Sequence, residues 1–199
     1  GILMGRRALP KVNPSINTSG HLFVLDDLSP PLDWSCLFKD PSLPLEIEIG
    51  SGKGLFINTS SVEVPDRNFI GVELAKRYAV FAAARLARKK TENAVMISGD
   101  GLRFMAEFGA ANTPDAVHVY FPDPWPKRRH RGRRFFTEDV RAVIARVIRD
   151  NGYCLIATDN ACYAGQVARV MGNAAMFERD QAEEQRLIDL GPGHAFSPT

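Results

Sequence analysis

The stretch Leu45 to Gly54, L-E-I-E-I-G-S-G-K-G, narrows the possible folds at once. Leu45, Ile47 and Ile49 alternate with Glu46 and Glu48, the period of a short β-strand. Gly50, Gly52 and Gly54 follow at every second position. Such a run requires a tight turn and admits close approach by another backbone or a ligand, because glycine has no Cβ to block it. Leu55, Phe56 and Ile57 then open an apolar helical segment whose first N–H groups are free to face a ligand.

Two nucleotide-binding readings fail on particular residues. A phosphate-binding P-loop needs Ser or Thr after Gly-Lys, and here Gly54 follows Lys53. The dinucleotide fingerprint needs a glycine where Leu55 stands. The remaining pattern, Glu48-x-Gly50-x-Gly52-x-Gly54, resembles the first motif of S-adenosylmethionine-dependent methyltransferases. A glycine turn joining any strand to any helix is the competing reading.

Downstream, strand and helix patterns alternate. Asn68–Glu73, Ala94–Ser98, Ala116–Phe121 and Tyr153–Ala157 read as strands. Helices are expected from Ala75 to about Lys90, from Leu102 to Phe108, from the Thr137 N-cap to Arg149, and from about Ala161 to Met171. The alternation predicts an α/β fold with a mostly parallel central sheet and helices on both faces, and the resemblance of the glycine motif implies that it is Rossmann-like and of the class I methyltransferase type. Residues 1–44, broken by Pro10, Pro14, Pro30, Pro31, Pro41 and Pro44, read as a mostly irregular extension packed on the core through Leu32, Trp34, Leu37 and Phe38. Residues 45–199 form the domain proper.

Composition removes several classes. Three cysteines far apart, with no C-x-x-C, argue for a reducing, cytoplasmic setting without a disulfide framework or zinc knuckle. No apolar run nears the ~20 residues that cross a bilayer, so no membrane partner is expected. No metal is expected either. Monomer and homodimer stay equally open.

In a doubly wound sheet, ligands bind beyond the carboxyl ends of the strands. There the chain carries Glu48, Glu73, Asp100, Asp123 and Asp159. Five acids on one edge repel one another unless ligands or hydrogen-bond donors share the space. Glu73, 25 residues past Glu48, suits the two ribose hydroxyls of an adenosyl ligand. Asp100 suits the adenine amino group, and Glu48 the ammonium of a methionine. Helix capping is the plain alternative for Glu73 and Asp100.

The other unusual segment is Tyr120–Phe136, Y-F-P-D-P-W-P-K-R-R-H-R-G-R-R-F-F. Pro122, Pro124 and Pro126 keep the backbone extended and place Asp123 and Trp125 at the cleft rim. Six of the chain's 25 Lys and Arg residues fall between Lys127 and Arg134, a cationic stretch suited to a phosphate backbone. Trp125, Phe135 and Phe136 are candidates for stacking on a base. A solvated basic loop is the plain reading, and no DNA recognition helix is visible. The run Arg88-Lys89-Lys90 reads as a solvated helix cap.

P-D-P-W-P-K-R-R-H after a strand, with E-I-G-S-G-K-G upstream and A-T-D-N downstream, resembles the tRNA (guanine-N7-)-methyltransferases. The resemblance runs from about Leu32 to Tyr163. It implies transfer of a methyl group from S-adenosylmethionine to N7 of a tRNA guanine, guanine 46 of the variable loop. It implies cofactor contacts from Glu48, Gly50, Gly52, Glu73, Asp100 and Asp123, with Asp123 also the catalytic residue. Lys127 and Asp159 match its substrate-binding positions, and Arg128, Arg129 and Arg131 are expected to join them on the RNA. A Thr-x-Phe-Glu segment usual near the family's C-terminus is not matched up to Thr199. Two rivals stand beside this reading: an amino-group methyltransferase on another nucleic acid, since P-D-P-W distantly resembles D-P-P-Y loops, and a non-catalytic RNA-binding protein with a relic cofactor pocket.

Overall fold

The computed structural model describes residues 9–109, 113–125, 128–172, 177–182 and 185. Six strands form one sheet: β1 (Leu22–Val24), β2 (Leu45–Ile49), β3 (Asn68–Glu73), β4 (Ala94–Ser98), β5 (Ala116–Tyr120) and β6 (Tyr153–Ala157). Their order is β1-β4-β3-β2-β5-β6, and every pair is parallel. Five helices join them: α1 (Leu55–Glu63), α2 (Lys76–Lys89), α3 (Gly101–Phe108), α4 (Glu138–Val147) and α5 (Ala161–Gly172). A parallel pair needs a crossover long enough for a helix, and each of α1 to α4 supplies one.

The two faces carry separate cores. Leu45, Ile47 and Ile49 of β2 pack with Phe104 of α3, Ile144 of α4 and Tyr163 of α5. On the opposite face, Phe56 and Ile57 of α1 and Ala82, Ala83 and Leu86 of α2 cover Phe69 and Met96. The alternation in β2 therefore places Glu46 and Glu48 on this second face, yet both are buried. A central strand of a parallel sheet is covered on both sides, so its polar residues need internal partners. Glu46 has them: Arg67 Nη1 donates to it at 3.0 Å, and His118 Nε2 lies 2.8 Å from its other oxygen. Burial would push the Glu46 carboxyl up, but His118 and Arg67 outweigh it and hold the group below its ordinary value. His118 Nδ1 in turn lies 2.9 Å from the Tyr120 hydroxyl, which joins β2 to the end of β5.

Within the stretch read as mostly irregular, Leu22–Val24 add a parallel edge strand against Met96–Ser98. Leu25, Leu37 and Phe38 are buried in the larger core. Leu25 lies so close to Gly99 that a Cβ there would sit 2.4 Å from its own Cβ. The N-terminal segment thus packs directly against the loop that carries Asp100. Among the described residues no helix is long and apolar enough to cross a membrane, and no cluster of His, Cys, Asp and Glu suits a metal ion. Burial pushes the Cys154 thiol up to about 12, which leaves it unreactive.

Candidate active site

Strand order reverses at β2, which has β3 on one side and β5 on the other. This is the switch point where the ends of neighbouring strands diverge and leave a crevice. The glycine turn leaves β2 here, and the Asp123 loop leaves β5 beside it, with Ile49 in register with Val119. The turn is held by Gly50 N–H and Ser51 N–H, which both donate to the Val72 carbonyl at 2.8 and 3.1 Å. Gly50, Gly52 and Gly54 have φ of 76°, 53° and 68°, a left-handed backbone costly for other residues. At Gly54 a Cβ would also sit 2.5 Å from Ala82 Cβ, so this glycine lets α2 close onto the turn.

Along the sheet edge the five acids follow strand order: Asp100 after β4, Glu73 ending β3, Glu48 within β2, Asp123 after β5 and Asp159 after β6. At the usual ~4.8 Å strand spacing the row spans roughly 19 Å. Their surroundings differ. Glu73 accepts from Gly52 N–H and Ala75 N–H, each at 2.8 Å, and so ties the glycine turn to the start of α2. Asp100 is exposed and caps α3, accepting from Arg103 N–H at 2.8 Å. Asp123 and Asp159 are exposed. Glu48 is only 4% exposed, and among the described residues nothing donates to its Oε2. Burial pushes its carboxyl up to about 8.

Asp123 lies between two residues in the left-handed region, Phe121 at φ 48° and Trp125 at φ 39°. Such backbone persists only where the surroundings enforce it. Phe121 N–H is anchored to the Ala157 carbonyl at 2.8 Å. Beyond Asp123 the clamp is Arg134, whose Nε donates to the Pro124 carbonyl at 2.7 Å and whose Nη1 bonds the Gln166 side chain. Its guanidinium also lies over the Tyr163 ring, 5.2 Å from the centroid. Arg134 is buried, so the cationic stretch does not run to Arg134 as its composition implies. The Arg134 charge is turned inward, because the loop's carbonyls need donors.

Arg128–Arg133 form a 3-10 turn. Arg129 is exposed there, with its Nε 3.3 Å from His130 Nε2. The His130 ring stands perpendicular to Trp125 at 5.7 Å. Phe136 is fully buried and Phe135 packs against the core, so neither stands free to stack on a base. Lys127 and the side chains of Arg128 and Arg131 lie outside the described residues.

Residues 42–190 match the family model Methyltransf_4, described as "Putative methyltransferase". The chain is 42% identical over 161 residues to the tRNA (guanine-N(7)-)-methyltransferase of Rhodopirellula baltica, covering 78% of this chain and 59% of that protein. It is 32% identical to the tRNA (guanine-N(7)-)-methyltransferase of Oceanobacillus iheyensis, covering 79% and 73%. The chain belongs to the tRNA (guanine-N7-)-methyltransferase family. It spans less than two thirds of the length of some members, 59% for Rhodopirellula baltica and 66% for Lactobacillus delbrueckii subsp. bulgaricus, where identity is 34% over 73% of this chain. Among solved structures, precorrin-6y C5,15-methyltransferase from Geobacter metallireducens superposes with a TM-score of 0.50 at 14% identity, covering 65% of this chain and 61% of that one. That likeness is one of fold.

Two further residues of this family member flank the cleft without having been singled out from sequence. Leu74, directly after Glu73, is 71% exposed, and Phe121 is 45% exposed. Their only signal in the sequence is position, immediately past a strand.

Proposed function

We propose that the chain transfers the methyl group of S-adenosylmethionine to N7 of a guanine in tRNA, guanine 46 of the variable loop. The adjacency of the glycine turn and the Asp123 loop at the switch point carries this reading. The residues present suit the cofactor. Glu48 offers a buried carboxyl with an unpartnered oxygen to an ammonium group. Glu73 suits ribose hydroxyls, Leu74 an apolar ring face and Asp100 the adenine amine. When bound, S-adenosylmethionine supplies a methyl group already activated by its sulfonium.

Guanine N7 has a free lone pair in the neutral base, so the protein need not remove a proton first. Alignment then does most of the work, and proximity alone supplies ~7–11 kcal/mol in favourable cases. Asp123 orients the guanine by accepting from its N1–H and exocyclic amine, and offsets the positive charge that develops on the ring. Arg129, with Lys127, Arg128, Arg131 and Asp159, receives the surrounding RNA. Labelled methyl transfer to bulk tRNA followed by nucleoside identification tests the reading. N7-methylguanosine, with strand cleavage after borohydride and aniline, is the expected product. Label on an exocyclic amine, or none, overturns it.

Glu48 adds a pH dependence. Its folded value near 8 lies above the ordinary 4.5, so the folded chain holds a proton that the unfolded chain releases. Its contribution to stability is full below about pH 4.5 and is lost as pH rises through 8. A neighbouring ammonium favours the carboxylate, so cofactor binding releases this proton and tightens with pH up to about 8. Calorimetry in buffers of different ionisation enthalpy measures the proton release, and Glu48→Gln is expected to abolish it. Equal release by the variant would place the proton elsewhere.

A further inference from the structure

Between Lys76 and Lys90, helix α2 and its C-cap carry six cations, Lys76, Arg77, Arg85, Arg88, Lys89 and Lys90, and no carboxylate. The helix dipole accounts for the last turn, where Arg88 and Lys89 face its negative end. It does not account for Lys76 and Arg77, which occupy the first turn at its positive end. Among the described residues, none of the six has a carboxylate partner, whereas Lys39, Arg67, Arg103 and Arg149 each have one. Arg77, Phe81, Arg85 and Arg88 recur at helical spacing along one side of α2. Ala79, Ala82, Ala83 and Leu86 are buried on the other, and Ala84 is buried beneath the stripe, between Phe81 and Arg88.

The stripe is crowded. Burial first, and then the charge of Arg88, pull the Arg85 guanidinium down from its ordinary value. Arg77 lies 5.0 Å from the Tyr78 ring centroid, so arginines and rings alternate at its upper end. Arg85 Nη1 donates to the Lys53 carbonyl at 3.1 Å, which joins the stripe to the glycine turn. From Arg77 to Arg88 it runs ~16 Å, too far for one small anion to engage and suited to a polymer with closely spaced charges. The interleaved rings suit sugars and bases better than an acidic protein.

We infer that this stripe of α2, with Arg77 and Arg88 exposed at its two ends, is a second contact for the tRNA phosphate backbone, outside the cleft, along which the body of the RNA lies while one guanine enters the site. The inference rests on the tRNA reading above. Its test is the double variant Arg77→Gln, Arg88→Gln, since glutamine keeps the helix propensity and removes the charge. At ~0.1 M salt, tRNA affinity is expected to fall about tenfold, and the salt slope to become shallower by about 1.5. Cofactor affinity is expected to hold and Tm to fall by no more than ~4 °C, because Arg77 in the first turn adds nothing to the helix and Arg88 in the last turn adds only ~0.3–1 kcal/mol. Unchanged tRNA affinity and slope, with both reduced in Arg128→Ala, Arg129→Ala, Arg131→Ala, overturns the stripe and leaves the tRNA reading standing. Loss of affinity together with a fall in Tm well beyond ~4 °C overturns it in favour of a structural role. Failure of the wild-type chain to bind tRNA overturns both.

Discussion

Replacing Asp123 by alanine is expected to lower kcat for methyl transfer by about 10²–10³-fold, the usual cost of removing one fixed group that faces developing charge. Cofactor affinity is expected to stay nearly the same, since Glu48, Glu73 and the glycine turn lie on β2 and β3 rather than on the β5 loop. Asp123→Asn separates orientation from charge. An amide retains an acceptor but not the negative charge, so an intermediate rate assigns part of the effect to electrostatics. Single-turnover transfer to tRNA, with calorimetry for the cofactor, gives both readouts. Unchanged turnover in Asp123→Ala removes this residue from the mechanism.

Arg134→Lys is expected to lower kcat about 10–100-fold with little effect on tRNA affinity, as for a change that misplaces a reacting group by about an ångström. Lysine keeps the charge but loses the planar fork that reaches the Pro124 carbonyl and Gln166 together while lying over Tyr163. The Asp123 loop, left-handed at Phe121 and Trp125, then loses the clamp on its far side. Unpaired carbonyls cost roughly 1–3 kcal/mol, so Tm is also expected to fall by several degrees. A defect confined to tRNA affinity would mean that Arg134 contacts RNA directly, and the buried clamp would be wrong.

These two residues mark what is legible in the chain and what is not. Asp123 follows a strand in a proline-held segment, so its place at the cleft is readable from residue order alone. Arg134 sits in a run of similar cations, and nothing local separates it from Arg129, which stays exposed. The difference arises because Pro124 and Trp125 present carbonyls to the interior, a fact of loop path rather than composition. Phe135 and Phe136 were candidates for base stacking for the same local reason, and both are taken up by the core. Asp100 also behaves as its plainer reading allows, since it caps α3 by accepting from Arg103 N–H, whereas Glu73 accepts from Ala75 N–H just ahead of α2 and from Gly52 N–H in the turn. Those bonds also orient the two carboxylates.

Strands β3, β4 and β6 coincide with their predicted residues, because β-branched apolar runs bounded by glycine, acid or asparagine have few other uses. The three-residue β1 escapes such reading, since its pairing with β4 depends on residues more than seventy positions away. The glycine turn, the row of strand-end acids and the alternation of strand and helix are properties of residue order, and through them the chain alone determined its fold class and cofactor type. Strand order, which makes β2 and β5 neighbours, and the covering of both sheet faces, which buries Glu48 with an unpartnered oxygen, were decided only by tertiary packing. Local periodicity sets which way a side chain points; what it meets there depends on which distant segment is packed against it.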